Sequence, residues 1–162
     1  SLKQNDIGSR EIRDWLRDGP VSIAAALELT VRLVEGENRQ QLADRSLEFM
    51  RSRIPTLQLG GLRIATQAHS VDVLLEISKL LTTSETGVRL AAAWTLKRLV
   101  PEAPLRDIQG QDPATVSLEF EATEGVEGMR ILECAEQGQN WLVASRNSLV
   151  FQKPHYVIKK GK

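Results

Sequence analysis

Cysteine and aromatic residues are scarce in this chain of 162 residues, of which only 4% are aromatic. Cys134 is the single cysteine, so the chain cannot form an internal disulfide. No histidine or second cysteine stands near it at the spacing of metal ligands. We therefore expect a reducing, cytoplasmic environment and no metal site.

An excess of charge of either sign is also lacking, because 21 basic residues balance 21 acidic ones. Such a chain has no overall field that would attract nucleic acid or an anionic membrane. No apolar run has the length of a membrane span, and no charged-then-apolar leader precedes the first predicted helix. The composition predicts a soluble protein that does not bind membranes.

Residue patterns typical of catalysis are missing as well. His69 and His155 have no nucleophile or carboxylate at the spacing of a known catalytic arrangement. Gly60-Gly61 lacks the residues that follow in phosphate-binding loops. We therefore predict a protein that is not an enzyme and that uses no cofactor.

The first hundred residues have the apolar spacing of helices. One helix is expected to begin at Asn38 and to end at Ile54-Pro55. The next is predicted between Thr56 and Ala68, or from Gly61 onward, because Gly60 and Gly61 each cost about 1 kcal/mol relative to alanine.

The clearest pattern is a helical hairpin over Val73–Val100, VLLEISKLLTTSETGVRLAAAWTLKRLV. Its second helix has apolar and small residues on one face, at spacings of three and four: Val88, Ala91, Ala92, Thr95, Leu96 and Leu99. The two alanines would allow a neighbouring helix to approach closely. Ser84 is the predicted N-cap, and Pro101 is expected to end the helix.

This hairpin resembles a HEAT repeat, in which a leucine pair, a small polar turn and a helix with Val-Arg, Ala-Ala and spaced leucines follow one another. The matching residues are Leu80, Leu81, Val88, Arg89, Ala91, Ala92, Leu96 and Leu99. The likeness covers about one repeat, residues 73–100. It implies a stacked helical scaffold that binds a protein partner, and it implies that Arg89 bonds the adjacent repeat.

The last fifty residues have the alternation and turn residues of short strands. Five strands are predicted, at Val116–Phe120, Met129–Cys134, Trp141–Ala144, Leu149–Gln152 and Tyr156–Lys159. They would form a small antiparallel sheet or an SH3-like barrel. The predicted class is thus α+β: a HEAT-like helical domain over residues 1–100, a linker over 101–113 and a β domain over 114–162.

The predicted function is that of a protein-protein interaction scaffold or adaptor that binds through exposed helix faces. The candidate partner-binding residues are Arg45, Leu90, Trp94, Lys97 and Arg98. For Leu90 and Trp94 an alternative stays open, in which both side chains pack against the linker or the sheet.

A second hypothesis is nucleic-acid binding by the C-terminal sheet and its lysine tail. Its candidate residues are Trp141, Lys153, Tyr156, Lys159 and Lys160. The same aromatics are also needed for the core of so small a sheet. Relatives of HEAT-like DNA glycosylases are a weaker alternative, because residues 1–110 carry 15 basic and 14 acidic side chains and lack the required positive charge.

Overall fold

A computed structural model describes residues 27–28, 30–32, 34–105, 108–116 and 125–159. Residues 27–28 and 30–32 are helical. Five longer helices and one antiparallel sheet follow: α1 (Arg39–Met50), α2 (Pro55–Ala68), α3 (Val71–Leu80), α4 (Thr86–Leu99), α5 (Gly125–Ser145), β1 (Leu149–Gln152) and β2 (His155–Ile158). The predicted α+β class is confirmed.

Helix α1 begins where the sequence predicts, at Asn38. The Asn38 side chain accepts a hydrogen bond from the backbone N–H of Gln41, and the Gln41 side chain accepts one from the N–H of Asn38, both at 2.9 Å. This reciprocal capping box satisfies two N–H groups that the helix itself leaves unpaired. The helix ends at Met50, before the predicted Ile54-Pro55.

Helix α2 runs through both of its glycines, because it crosses α1 there. It begins at Pro55, so the alternative start at Gly61 is wrong. A Cβ on Gly61 would lie 2.7 Å from Met50 Cγ and 2.9 Å from the carbonyl oxygen of Ser46. The Ser46 hydroxyl donates a hydrogen bond of 2.9 Å to the Gly61 carbonyl. The glycine thus permits direct contact between the two helix backbones.

The predicted hairpin is present as α3 and α4, and the predicted face of α4 is buried. Val88, Ala91, Ala92 and Leu96 are each 0% exposed. Helix α4 ends at Leu99, close to the stop expected from Pro101.

The turn of this hairpin differs from the prediction. Ser84 is not the N-cap: Glu85 occupies that position, and no side chain caps the helix. Arg89 fastens the turn instead, since Nη1 donates to the Thr83 carbonyl (2.6 Å) and Nη2 to Thr86 Oγ1 (2.8 Å). Arg89 therefore has a structural role within its own hairpin, where the HEAT resemblance implies a bond to the adjacent repeat.

The predicted five-stranded sheet or SH3-like barrel is wrong, because α5 replaces two of its strands. Residues 129–134 and 141–144 lie within this helix. Ile131, Ala135 and Leu142 form its buried face, and their spacing of four and seven is helical. The Gln139 side chain donates a hydrogen bond of 2.8 Å to the Ser78 carbonyl and so joins α5 to α3.

The last two predicted strands are confirmed as a β-hairpin. Leu149 pairs with Ile158 at its open end, and Gln152 pairs with His155 beside the turn. The Glu102 carboxylate accepts a hydrogen bond of 3.0 Å from the N–H of Ile158, which ties the hairpin to the segment after α4. Of the strand predicted at Val116–Phe120, Val116 is irregular and the remainder lies outside the described residues.

Among the described residues, one buried apolar cluster runs from Leu27 through the helices to the hairpin. It includes Ala103, Leu105 and Ile108 from the predicted linker, whose apolar side chains therefore belong to this core. The division into domains at residues 101–113 stays a prediction. Within the described ranges, every helix is too short or too polar to cross a membrane.

Candidate binding groove

A groove of about 470 Å³ lies between α2, α4 and residues 112–114, and Pro154 of the hairpin turn also lines it. Helix α2 supplies Leu62, Arg63 and Thr66 to its walls. The lining residues from α4 are Trp94, Thr95, Arg98 and Leu99, and the others are Leu27, Glu28, Asp112, Pro113 and Ala114. The groove thus combines apolar surface with two arginines and two carboxylates.

Helix α4 places Trp94 and Arg98 side by side in this groove. Residues four positions apart lie on the same face of a helix. The guanidinium carbon of Arg98 is 4.7 Å from the centroid of the Trp94 ring, a cation–π distance. Ala92 and Leu96, two positions before and two after Trp94, lie on the far side of α4 and are buried, so packing of the core orients the pair toward the groove.

Arg63 faces the same groove from α2. Within the described residues, the side chains of Arg63 and Arg98 form no hydrogen bond or ion pair. Each guanidinium is a planar fork of donors that matches a carboxylate. Asp112 is different, because its carboxylate already accepts a hydrogen bond of 2.9 Å from the N–H of Ala114. The two arginines are therefore available as charged donors in the groove.

The third wall of the groove, residues 112–114, follows a segment whose backbone atoms contact α4. Gly110 has a φ of +66°, and a Cβ at this position would lie 2.6 Å from the backbone nitrogen of Trp94. The N–H of Gln111 donates a hydrogen bond of 3.1 Å to the Leu90 carbonyl. The Lys97 ammonium donates to the carbonyl of Ile108. Residues 108–111 thus lie directly on this helix.

The predicted partner-binding residues fall into separate places. Trp94 and Arg98 line the groove, whereas Leu90 is 3% exposed beneath residues 108–111, which corrects its prediction as an exposed contact. Lys97 is engaged by the same segment. Arg45 lies on α1 and pairs with Glu37 at 3.4 Å and Glu48 at 3.9 Å. For Leu90, the alternative of packing against the linker is the one observed.

The residues of the nucleic-acid hypothesis do not form one surface in the described chain. Tyr156 is 3% exposed, and its ring packs on Phe151 with centroids 5.3 Å apart. Trp141 is half-buried on α5 and not on the sheet. Lys153 and Lys159 are exposed at opposite ends of the hairpin. Lys160 lies outside the described residues.

A larger and more open depression of about 660 Å³ lies at the α1–α2 turn. Among the described lining residues Arg51 is the only cation, and the Arg51 Nε atom pairs with a Glu76 carboxylate oxygen at 3.5 Å. Its described cation is therefore already paired with an acid, in contrast to Arg63 and Arg98. We take the groove of Trp94 and Arg98 as the candidate site.

Three groove residues, Arg63, Asp112 and Pro154, are not among those predicted from the sequence. For Arg63 a signal exists: no acidic residue stands three or four positions away on either side, so no ion pair within the helix uses its charge. Asp112 and Pro154 reach the groove through tertiary packing, which no local pattern in the sequence indicates.

Comparison of the chain with protein-family models, with curated protein sequences and with solved structures gives no significant match.

Proposed function

We propose that the protein is a non-enzymatic adaptor whose groove binds an extended segment of a partner protein, with a carboxylate beside an apolar side chain. The observation that carries this proposal is the juxtaposition of Trp94, Arg98 and Arg63 in one open groove. The HEAT-like resemblance of residues 73–100 favours the same class of function.

The chemistry of the walls defines the segment. Trp94, Leu62 and Leu99 offer apolar surface, and tryptophan and arginine are the residues that most often dominate binding energy at interfaces. The two guanidinium forks would hold a carboxylate by paired hydrogen bonds. Glu28 and Asp112 line the same groove and would repel a run of acids. The preferred segment therefore carries an isolated acidic residue.

The threonine hydroxyls of the groove also favour binding over catalysis, because each already donates a hydrogen bond within its own helix. Thr66 Oγ1 donates to the Arg63 carbonyl at 2.9 Å, and Thr95 Oγ1 donates to the Ala91 carbonyl at 2.8 Å. Neither hydroxyl has a histidine beside it among the lining residues. Both serve their own helix, and the groove offers no activated nucleophile.

The test is a peptide library in which one aspartate or glutamate neighbours a leucine or phenylalanine, screened by fluorescence polarisation. Arg98→Gln and Arg63→Gln should each weaken the best peptide by about 10- to 100-fold, because hydrogen bonds to charged groups contribute about 1.5–3 kcal/mol. Arg53→Gln is the matched control, since Arg53 is exposed and lies outside the groove.

Circular dichroism melts establish that all three variants are folded. Equal affinities for Arg98→Gln, Arg63→Gln and Arg53→Gln would refute the assignment of the groove. Replacing the acid of the peptide by its amide should reproduce the loss seen with the arginine variants. A peptide that binds regardless of its acid would contradict the proposed chemistry.

A further inference from the structure

A histidine joins the helical part of the chain to the β-hairpin. His69 links α2 to α3 with a φ of 51°, in the left-handed region. Its imidazole stacks on the Phe151 ring of β1, with centroids 3.9 Å apart and an interplanar angle of 21°. Phe151 in turn packs against Tyr156 of β2. The α2–α3 turn therefore contacts the hairpin through aromatic rings.

The buried side of the imidazole accommodates a neutral ring better than a charged one. His69 Nδ1 is buried and has no hydrogen-bond partner among the described residues. In the neutral tautomer with its proton on Nε2, this atom carries no hydrogen. Protonation would place an N–H at a position without an acceptor, and burying an unpaired charged donor is costly.

The groups that face His69 also oppose its protonation. Arg39 at the start of α1 and Lys153 in the hairpin turn are both cations. Burial, followed by these two charges, lowers the pKa of His69 below its usual value. The Tyr156 hydroxyl stays neutral near it, since burial raises its pKa to about 12.

We propose that the stack of His69 on Phe151 is an acid-sensitive latch, which holds the hairpin against the α2–α3 turn while His69 is neutral and releases it on protonation. A histidine whose pKa is lowered by folding takes up its proton more readily in the released state. Attachment of the hairpin is therefore complete above the ordinary value of about 6.5 and weakens as the pH falls through the lowered value.

Release of the latch would change the shape of the groove, because Pro154 follows Lys153 in the same turn and lines the groove. Release of the hairpin would withdraw this part of the wall. This regulatory step rests on the proposed function, whereas the latch itself does not. The two are measured separately, the latch on hairpin amides without peptide and the coupling on peptide affinity.

The experiment follows the backbone amides of residues 149–158 by NMR hydrogen exchange between pH 7.5 and 5.0, corrected for intrinsic exchange rates. In the wild-type chain, protection should fall progressively toward the acid end. His69→Phe keeps a ring for the stack but cannot be protonated, so its protection should not change with pH. His155→Gln, which removes the only other histidine, should behave like the wild type.

Two further variants keep the test decisive if phenylalanine is not tolerated at the left-handed position. His69→Asn suits that conformation and removes the stack, so the hairpin should be weakly protected at both pH values. Lys153→Gln removes a facing cation and should reduce the effect of acid. Unchanged protection in the wild type, or the same acid response in His69→Phe, would overturn the latch. If the latch is seen and peptide affinity does not follow it, only the coupling is refuted.

Discussion

Two adjacent glycines in α2 are expected to respond to alanine in opposite directions. A Cβ on Gly60 would meet Phe49 Cδ2 at 3.5 Å and Thr30 Cγ2 at 3.7 Å, which are ordinary van der Waals contacts. A Cβ on Gly61 would meet Met50 Cγ at 2.7 Å, the backbone nitrogen of Met50 at 2.8 Å and the Ser46 carbonyl oxygen at 2.9 Å. Two of these three atoms are backbone and cannot rotate away.

The magnitudes follow from the two geometries. Alanine in place of glycine within a helix gains about 1 kcal/mol, so Gly60→Ala should raise the free energy of unfolding by about 0.5–1 kcal/mol. In Gly61→Ala the same gain is opposed by about 1–3 kcal/mol of overpacking. Separation of α1 from α2 also costs the hydrogen bond from Ser46 to the Gly61 carbonyl, about 1 kcal/mol. The net loss is about 1–3 kcal/mol.

Urea unfolding followed by circular dichroism at 222 nm measures both variants against the wild type. At about 2–4 °C per kcal/mol, the two melting temperatures should also lie several degrees apart. A Gly61→Ala variant as stable as Gly60→Ala would show that the helices do not cross in backbone contact. Ser46→Ala is the accompanying control, because it removes the hydrogen bond without adding volume and should lose less than Gly61→Ala.

Other sites give shorter tests. Asn38→Ala should lower the free energy of unfolding by about 1 kcal/mol in urea titrations, because the capping box is lost, and an unchanged value would refute the cap. Gly110→Ala should lower it by at least about 2 kcal/mol and increase the exposure of Trp94 to acrylamide quenching, since φ is positive and the new Cβ would collide with α4. Tyr156→Phe should leave the melting temperature unchanged or raise it, because the buried hydroxyl has no partner in the described structure, and a clear loss would reveal one.

The sequence predicts the helical half of the fold well, because its signals there are local. Asn38 marks the start of α1, and the apolar spacing of residues 88–99 gives the buried face of α4. Gly60-Gly61 is harder to interpret, since glycine has a low helix propensity. Here its missing side chain permits a helix crossing, and that contact is tertiary.

The C-terminal half shows how turn composition can mislead. Gln137-Gly-Gln-Asn140 has the residues of a turn and separates two short apolar runs, which predicts strands. In the folded chain this segment is helical, and Gly138 is buried with a Cβ position 3.6 Å from Leu105 Cδ2. The helical period becomes visible only when Ile131, Ala135 and Leu142 are compared across the predicted turn.

The candidate site was predictable only in part. Trp94 and Arg98 follow from their spacing on α4, and both line the groove. Leu90 has the same helical spacing, four positions before Trp94. It is covered, because Gly110 brings residues 108–111 onto that part of the helix. Sequence periodicity places a residue on a face and does not show which segment lies over that face.

The groove is assembled from parts of the chain that are far apart in sequence, and this determines when it can exist. During synthesis α2 and α4 leave the ribosome first, the segment of Asp112 follows, and Pro154 comes last. At about 5–20 residues per second, the wall formed by Pro154 is made roughly 2–8 s after the one formed by Pro113. A nascent chain therefore carries the two arginines and the tryptophan before it carries a complete groove, and the last part of the wall is added only when the hairpin has folded onto the helices.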